Sequence, residues 1–328
     1  MDQEYHERRA PRCIDLQACV PPTLVASSSQ NAVQRTDFFR SCKLCADGAA
    51  ALTTTEQRAI EVYNLTTEGS QLAPARRFVQ SGNILETLWY PTAIPEDPST
   101  FCFLASVREC PVKLLDASDG RVHDIPLRAS YRIVDHRERQ IAPHSMAFNS
   151  VASKLYCGFQ DAIEVFDIAS PGEGERLFTT PSKKSRSGLK GIISALAFCP
   201  DYSGLYAAGT FSSSLVLFAE SNQAEIIQCL GGVKGPVTQV KFNPMQPHIL
   251  YATSRQTNSI LSWDIRGHTS TPLQEFERFG LTNQRLSFDV DAYGTTMVTG
   301  DKDGFISCFK LDGTDTEKAT LKFKAHDG

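Results

Sequence analysis

The chain has 328 residues, 41% apolar and 21% charged, which is enough apolar material for a folded domain with a sizeable core. Its 33 basic and 37 acidic side chains leave a net charge of −4, so any nucleic-acid site must be a local patch. No apolar run approaches the roughly 20 residues that span a bilayer, and the start, Met1-Asp2-Gln3-Glu4-Tyr5-His6-Glu7-Arg8-Arg9, is too charged for a secretory signal.

In chain order, residues 1–36 carry Pro21-Pro22 and Ser27-Ser28-Ser29 and read as a flexible lead-in. Within it, Val20, Leu24 and Val25 offer material for one closing strand and no more. Residues 37–328 read as one domain built from a recurring segment. Its clearest copies run from Ile193-Ser194-Ala195-Leu196-Ala197-Phe198-Cys199-Pro200 into Leu215-Val216-Leu217-Phe218, and from Val237-Thr238-Gln239-Val240-Lys241-Phe242-Asn243-Pro244 into Leu261-Ser262-Trp263-Asp264. Each copy reads as an alternating strand, a turn, a strand of small residues, a second turn, and a strand closing on a large apolar side chain. Those closing residues are Tyr63, Leu115, Phe166, Phe218, Trp263 and Phe309, spaced by 52, 51, 52, 45 and 46 residues.

That order of elements fits a four-stranded propeller blade, at a spacing slightly longer than the roughly 40–45 residues of a WD40 repeat. The expected fold is therefore an all-β WD40 β-propeller with six recognisable blades. A seventh is expected to begin at Phe323-Lys324-Ala325-His326-Asp327-Gly328. Because a propeller hides its sheet edges by closing on itself, C-terminal truncation is expected ahead of a tight six-blade closure. Asp303, six residues before Phe309, fits the turn aspartate of a WD40 blade, whereas the matching positions elsewhere are Gln57, Gln160, Ser212 and Thr257. Most blades are thus expected to rely on apolar packing, in a ring less rigid than a consensus WD40 protein.

Three long stretches are expected as loops around the blades: residues 66–80, 128–144 and 170–191. The second holds Arg128, Arg132, His136, Arg137, Arg139 and His144; the third holds Lys183, Lys184, Arg186 and Lys190. Loops on such a scaffold usually carry the function, and these two are expected to form one basic rim between neighbouring blades. The ten cysteines lack framework spacing and read as reduced, mostly buried thiols. Cys42 and Cys45 point to opposite faces of a strand, which argues against a shared zinc. There is no nucleophile elbow, phosphate-binding loop or His-Glu-x-x-His, so neither an enzyme nor a cofactor is expected.

Several segments are more specific than the repeat. Ser187-Gly188-Leu189-Lys190-Gly191-Ile192-Ile193-Ser194 resembles the Ser-Gly-Ile-Ile-Ser stretch of the telomerase Cajal body protein family, and Thr282-Asn283-Gln284-Arg285 resembles its Thr-Asn-Gln-Arg segment. Cys157-Gly158-Phe159-Gln160, Leu88-Trp89-Tyr90-Pro91 and Ala142-Pro143-His144-Ser145 are also similar to it. The resemblance covers roughly residues 38–313. It implies a non-enzymatic nuclear scaffold that binds small nuclear or Cajal body RNAs, including telomerase RNA, together with their RNP proteins. A fungal branch of the family implies splicing factors as further partners. Neither a membrane nor a small-molecule substrate is expected.

Asn283, Gln284 and Arg285 are the first RNA-binding candidates, since amides read base edges and an arginine stacks on a base or pairs with phosphate. Their structural alternative is an inner-strand entry with Arg285 paired to Asp289 or Asp291. Lys183, Lys184, Arg186 and Lys190 suit phosphate contact, a nuclear localisation signal, or simply a solvated loop. Arg132, Arg137 and Arg139 suit RNA contact but alternate with Asp135 and Glu138, which compete for them. Trp263, Asp264 and Arg266 form a Trp-Asp-x-Arg pattern resembling that of ubiquitin-ligase substrate receptors, so a protein-interaction propeller without RNA contact is the alternative function.

Overall fold

The computed structural model describes residues 37–65, 74–118, 127–182, 184–185, 187–222, 225–311 and 318–326. Strands of three to six residues pair in sequential antiparallel order into six four-stranded sheets, arranged as a six-bladed β-propeller. The first blade holds β1 (Phe39–Leu44), β2 (Ala50–Thr55), β3 (Ala59–Asn64) and β4 (Arg76–Val79). The second holds β5 (Ile84–Trp89), β6 (Cys102–Val107), β7 (Val112–Asp116) and β8 (Leu127–Tyr131). The third holds β9 (Ser145–Phe148), β10 (Lys154–Phe159), β11 (Ala162–Asp167) and β12 (Glu175–Phe178). The fourth holds β13 (Ile193–Phe198), β14 (Leu205–Thr210), β15 (Leu215–Ala219) and β16 (Ile226–Leu230). The fifth holds β17 (Val237–Phe242), β18 (Ile249–Ser254), β19 (Ser259–Asp264) and β20 (Gln274–Glu277). The sixth holds β21 (Phe288–Val290), β22 (Thr296–Gly300), β23 (Phe305–Lys310) and β24 (Leu321–Lys324).

All six closing residues of the repeat fall on the third strand of their blade, and all are buried. Phe166, Phe218, Trp263 and Phe309 are fully enclosed, which is the reason the repeat keeps a large apolar side chain there. Five apolar clusters fill the spaces between successive blades, from the first and second to the fifth and sixth. Small residues on the second strands leave room for the next blade. A Cβ on Gly209 in β14 would sit 2.4 Å from Val237 Cγ1 at the head of β17, and one on Gly158 in β10 would sit 2.7 Å from Ile193 Cγ2.

Three sequence expectations need correction. Phe323 and Lys324 do not begin a seventh blade: they lie in β24, paired with Ile306 and Phe305, as the outer strand of the sixth. The three long stretches are also not loops throughout, because each contains a fourth strand or part of one: β4, β8 and β12. An outer strand has a partner on one side only and stays half-wet, as in the exposure of Arg77 and Val79 around buried Phe78, so its apolar signal is weak. The turn aspartate of the sixth blade is Asp301, not Asp303. Its buried carboxylate accepts the N–H groups of Asp303 and Phe305, both at 2.9 Å, while Asp303 is exposed. Thr210 has the same place in the fourth blade and accepts from Ser212 and Ser214.

The inner strands are stitched together by side chains that reach a neighbour's backbone. Trp89 Nε1 donates to Lys43 O at 2.9 Å, Ser145 Oγ to Ile193 O at 2.8 Å and Ser194 Oγ to Val237 O at 2.6 Å. Gln239 makes both bonds of an amide to Phe288, donating to its carbonyl at 2.7 Å and accepting its N–H at 3.0 Å. Ser106 Oγ joins the second blade to Pro143 O, ahead of the third, at 2.7 Å. A buried carbonyl left without its donor is costly. Ser194→Ala is therefore expected to lower stability by about 1–3 kcal/mol, read as a reduced urea midpoint at unchanged m-value, whereas exposed Ser221→Ala should change it by about 0.5 kcal/mol or less.

Candidate nucleic-acid interface

The turn between the second and third strand of each blade opens on one mouth of the ring. The same turn position is held by Glu56, Arg108, Gln160, Phe211, Arg255 and Lys302, as the strand registers show. Four of these residues are fixed identically, by a backbone N–H donated to the carbonyl at the blade's entry. The bonds run from Glu56 to Phe38, Arg108 to Asn83, Phe211 to Ile192 and Arg255 to Pro236, at 2.8–3.1 Å. Main chain alone does this anchoring, so the side chains are left free for other contacts.

Three of the side chains, with two from entry loops, converge. The Arg255 guanidinium lies 4.9 Å from the Phe211 ring centroid and that of Arg285 lies 5.6 Å from it; the His144 ring meets the same phenylalanine edge-on at 5.9 Å. Burial, followed by the positive charges of Arg285, Arg108 and Arg255, holds the His144 imidazole below its ordinary proton affinity. Burial also lowers the proton affinity of Arg255, with repulsion from Arg285 and Arg40 adding to it. Arg255 Nε is buried and has no hydrogen-bond partner among the described residues. The carboxylate that reaches Arg285 is Glu86, at 3.6 Å, and Glu86 also takes the Lys43 ammonium. Beside this cluster, Gln256 Nε2 donates to Asn283 Oδ1 at 3.0 Å, and Gln284 is exposed.

Arg285 thus leaves both aspartates proposed as its partners. Asp289 pairs with Lys241, and Asp291 accepts the N–H groups of Thr295 and Thr296. The other basic candidates among the described residues lie elsewhere, towards the outer strands of the third blade. There a groove of about 1160 Å³ takes Asp135, His136 and Ile141 from the stretch 128–144 and Thr179, Thr180 and Gly188 from the stretch 170–191 into its lining. Its walls carry Asp135, Asp161 and Glu225 beside Phe159 and Phe178, and its Arg176 is engaged by Glu164 at 2.7 Å. Arg132, Arg137 and Arg139 are exposed, and among the described residues none of the three is ion-paired. Asp135 instead accepts the backbone N–H groups of Arg139 and Arg137, which keep its carboxyl below the usual range. Lys184 is exposed and Lys190 half-buried, while Lys183 and Arg186 lie outside the described residues.

No protein-family model matches the chain. It is 34% identical over 309 residues to Telomerase Cajal body protein 1 of Bos taurus, across 91% of this chain and 55% of that protein. To Telomerase Cajal body protein 1 of Homo sapiens it is 33% identical over 303 residues, across 90% of this chain and 53% of that protein. The chain belongs to the telomerase Cajal body protein family. It spans about half the length of the curated relatives it matches.

In this family member Trp263 is wholly buried, its Nε1 donating to Gly231 O at 3.1 Å, so it packs the core and offers no surface. Arg266 is bound twice to Asp264, at 3.0 and 2.7 Å, and holds that carboxyl down to about 2. The mouth residues Arg108, Phe211 and Arg255 escape a motif search because each belongs to a different repeat. Their signal is positional: one residue follows the small-residue strand in every copy. In the free protein His144 is expected to titrate below 6.5, and Arg285→Gln to move that titration upward by removing a positive neighbour. Histidine NMR signals followed against pH test this; an unchanged titration in the variant would place Arg285 away from the imidazole.

Proposed function

We propose that this family member is a non-enzymatic nuclear scaffold that holds small nuclear or Cajal body-type RNA at the mouth of its propeller. The observation that carries the reading is the mouth itself. A chain with a net charge of −4 gathers Arg255 and Arg285 there over one phenylalanine ring, with Arg108 close enough to act on His144. Local positive charge on an acidic protein favours a polyanion at that place and not over the whole surface. The exposed amide of Gln284 and the Gln256–Asn283 pair add groups able to meet base edges. Membership of a family whose relatives are named for telomerase and the Cajal body supports a nuclear location and RNP proteins as neighbours. The acidic, apolar groove at the third blade suits protein partners, splicing factors among them, better than RNA.

Crosslinking in cells followed by RNA sequencing tests the reading, with enrichment of small nuclear and Cajal body-type RNAs expected. Recovery of protein partners alone, with no RNA above background, would sink it. In vitro, Arg285→Ala is expected to weaken RNA binding and to flatten the slope of log K against log salt by about 0.7, one single-strand phosphate contact. Its circular dichroism and unfolding midpoint should stay near those of the parent chain, because Arg285 is half-exposed and its carboxylate partner is shared with Lys43.

A further inference from the structure

The mouth contains an arrangement that general attraction to a polyanion does not explain. Three arginines stand within electrostatic reach of one histidine, and two of them lie over the face of the same phenylalanine. The buried Nε of Arg255, without a hydrogen-bond partner among the described residues, adds a desolvation cost at the same place. Among the described residues no carboxylate reaches two of these guanidiniums at once, since Glu86 meets Arg285 only at 3.6 Å and is shared with Lys43. Phe211 also stays partly exposed beside the two guanidiniums, an apolar surface that a phosphate by itself does not need.

We propose that the mouth seats one unpaired nucleotide, its phosphate bridging Arg255 and Arg285 and its base stacked against the Phe211 platform. The proposal rests on the RNA-binding reading above and gives it a specific site. A guanidinium fork suits a phosphate oxygen pair, and aromatic and arginine faces are the usual stacking surfaces for splayed bases. The amides of Gln256, Asn283 and Gln284 stand beside the cluster and face the need for edge contacts. A phosphorylated side chain would use the arginines but leave the aromatic platform and the amides idle, so RNA is the occupant the geometry favours. Rigid turns make the seat preformed: Phe211 and Arg255 are each held by a backbone bond to the entry of their blade, at 3.1 and 2.8 Å.

The test uses the full chain and RNA hairpins carrying 2-aminopurine at each loop position in turn. For the parent protein, quenching is expected at one loop position, together with an upward move of the His144 titration when the RNA binds. Phe211→Leu, which keeps an apolar side chain, is expected to abolish that quenching and to weaken binding about tenfold. Arg255→Gln gives a second variant should Phe211→Leu fail to fold, and it is expected to weaken binding and to hold His144 at its free-state titration when RNA is added. Arg266→Gln, on a residue paired with its own neighbour, should leave both readouts unchanged. If the parent chain binds no RNA, the site and the RNA reading fall together. If RNA binds equally well to Phe211→Leu with its quenching intact, the nucleotide seat is overturned while the RNA reading stands. A phosphoserine peptide that displaces the RNA from the parent chain, and binds Phe211→Leu as tightly, would also overturn it.

Discussion

Every blade of this protein is a sheet with two apolar faces, and among the described residues no helix covers either of them. Only another blade can do so, and that requirement fixes nearly everything else. It places a large side chain on the third strand, where Phe166, Phe218, Trp263 and Phe309 fill the gap to a neighbour. It also demands small residues such as Gly158 and Gly209 on the second strand, where the head of the next inner strand presses in. The stitches between inner strands then set the register between blades. Ser145, Ser194 and Gln239 bond backbone groups of Ile193, Val237 and Phe288, which lie on strands paired on one side only within their own sheets.

The same packing creates the mouth. Because the second and third strands are held on both faces, the turns joining them cannot wander, and their backbone N–H groups lock onto the entry loops. Cations placed on such turns cannot relax away from one another. The burial that rigidifies Arg255 also weakens its hold on its proton, and the same environment keeps His144 neutral to lower pH. Electrostatic tension at the mouth is thus a product of core packing at a distance, not of a charge run in the sequence. Arg278 shows a related outcome, its Nε also buried without a hydrogen-bond partner among the described residues. It is as buried as a core residue, with its proton affinity lowered to about 10, yet its guanidinium is bonded to Leu286 O and Thr299 Oγ1 between the fifth and sixth blades.

Much of the fold was legible because three strands of each blade carry strong patterns: an alternating entry strand, a small-residue strand and a strand closing on Tyr63, Leu115 or their counterparts. The fourth strand was not legible. Strands such as Glu175–Phe178 are half-wet, and their polar residues read as loop. The same weakness made Phe323 look like the opening of a new blade instead of the close of the sixth. At the site, Arg285 stood out through its unusual sequence neighbourhood, while Phe211 and Arg255 did not. Nothing next to them in sequence marks them, and only the register of the repeat brings them to one place. Trp263, by contrast, was conspicuous in sequence and proves to be wholly interior.

The six turn positions at the mouth have a consequence for how such a protein changes over time. Glu56, Arg108, Phe211 and Arg255 are each moored by main chain, so the scaffold does not depend on which side chain occupies the position. At these positions a side chain can be exchanged without disturbing the core, even where it touches a neighbour, as Arg255 touches Phe211. A binding preference can drift by single substitutions in one repeat at a time. A family could keep this architecture while changing the molecules it recognises.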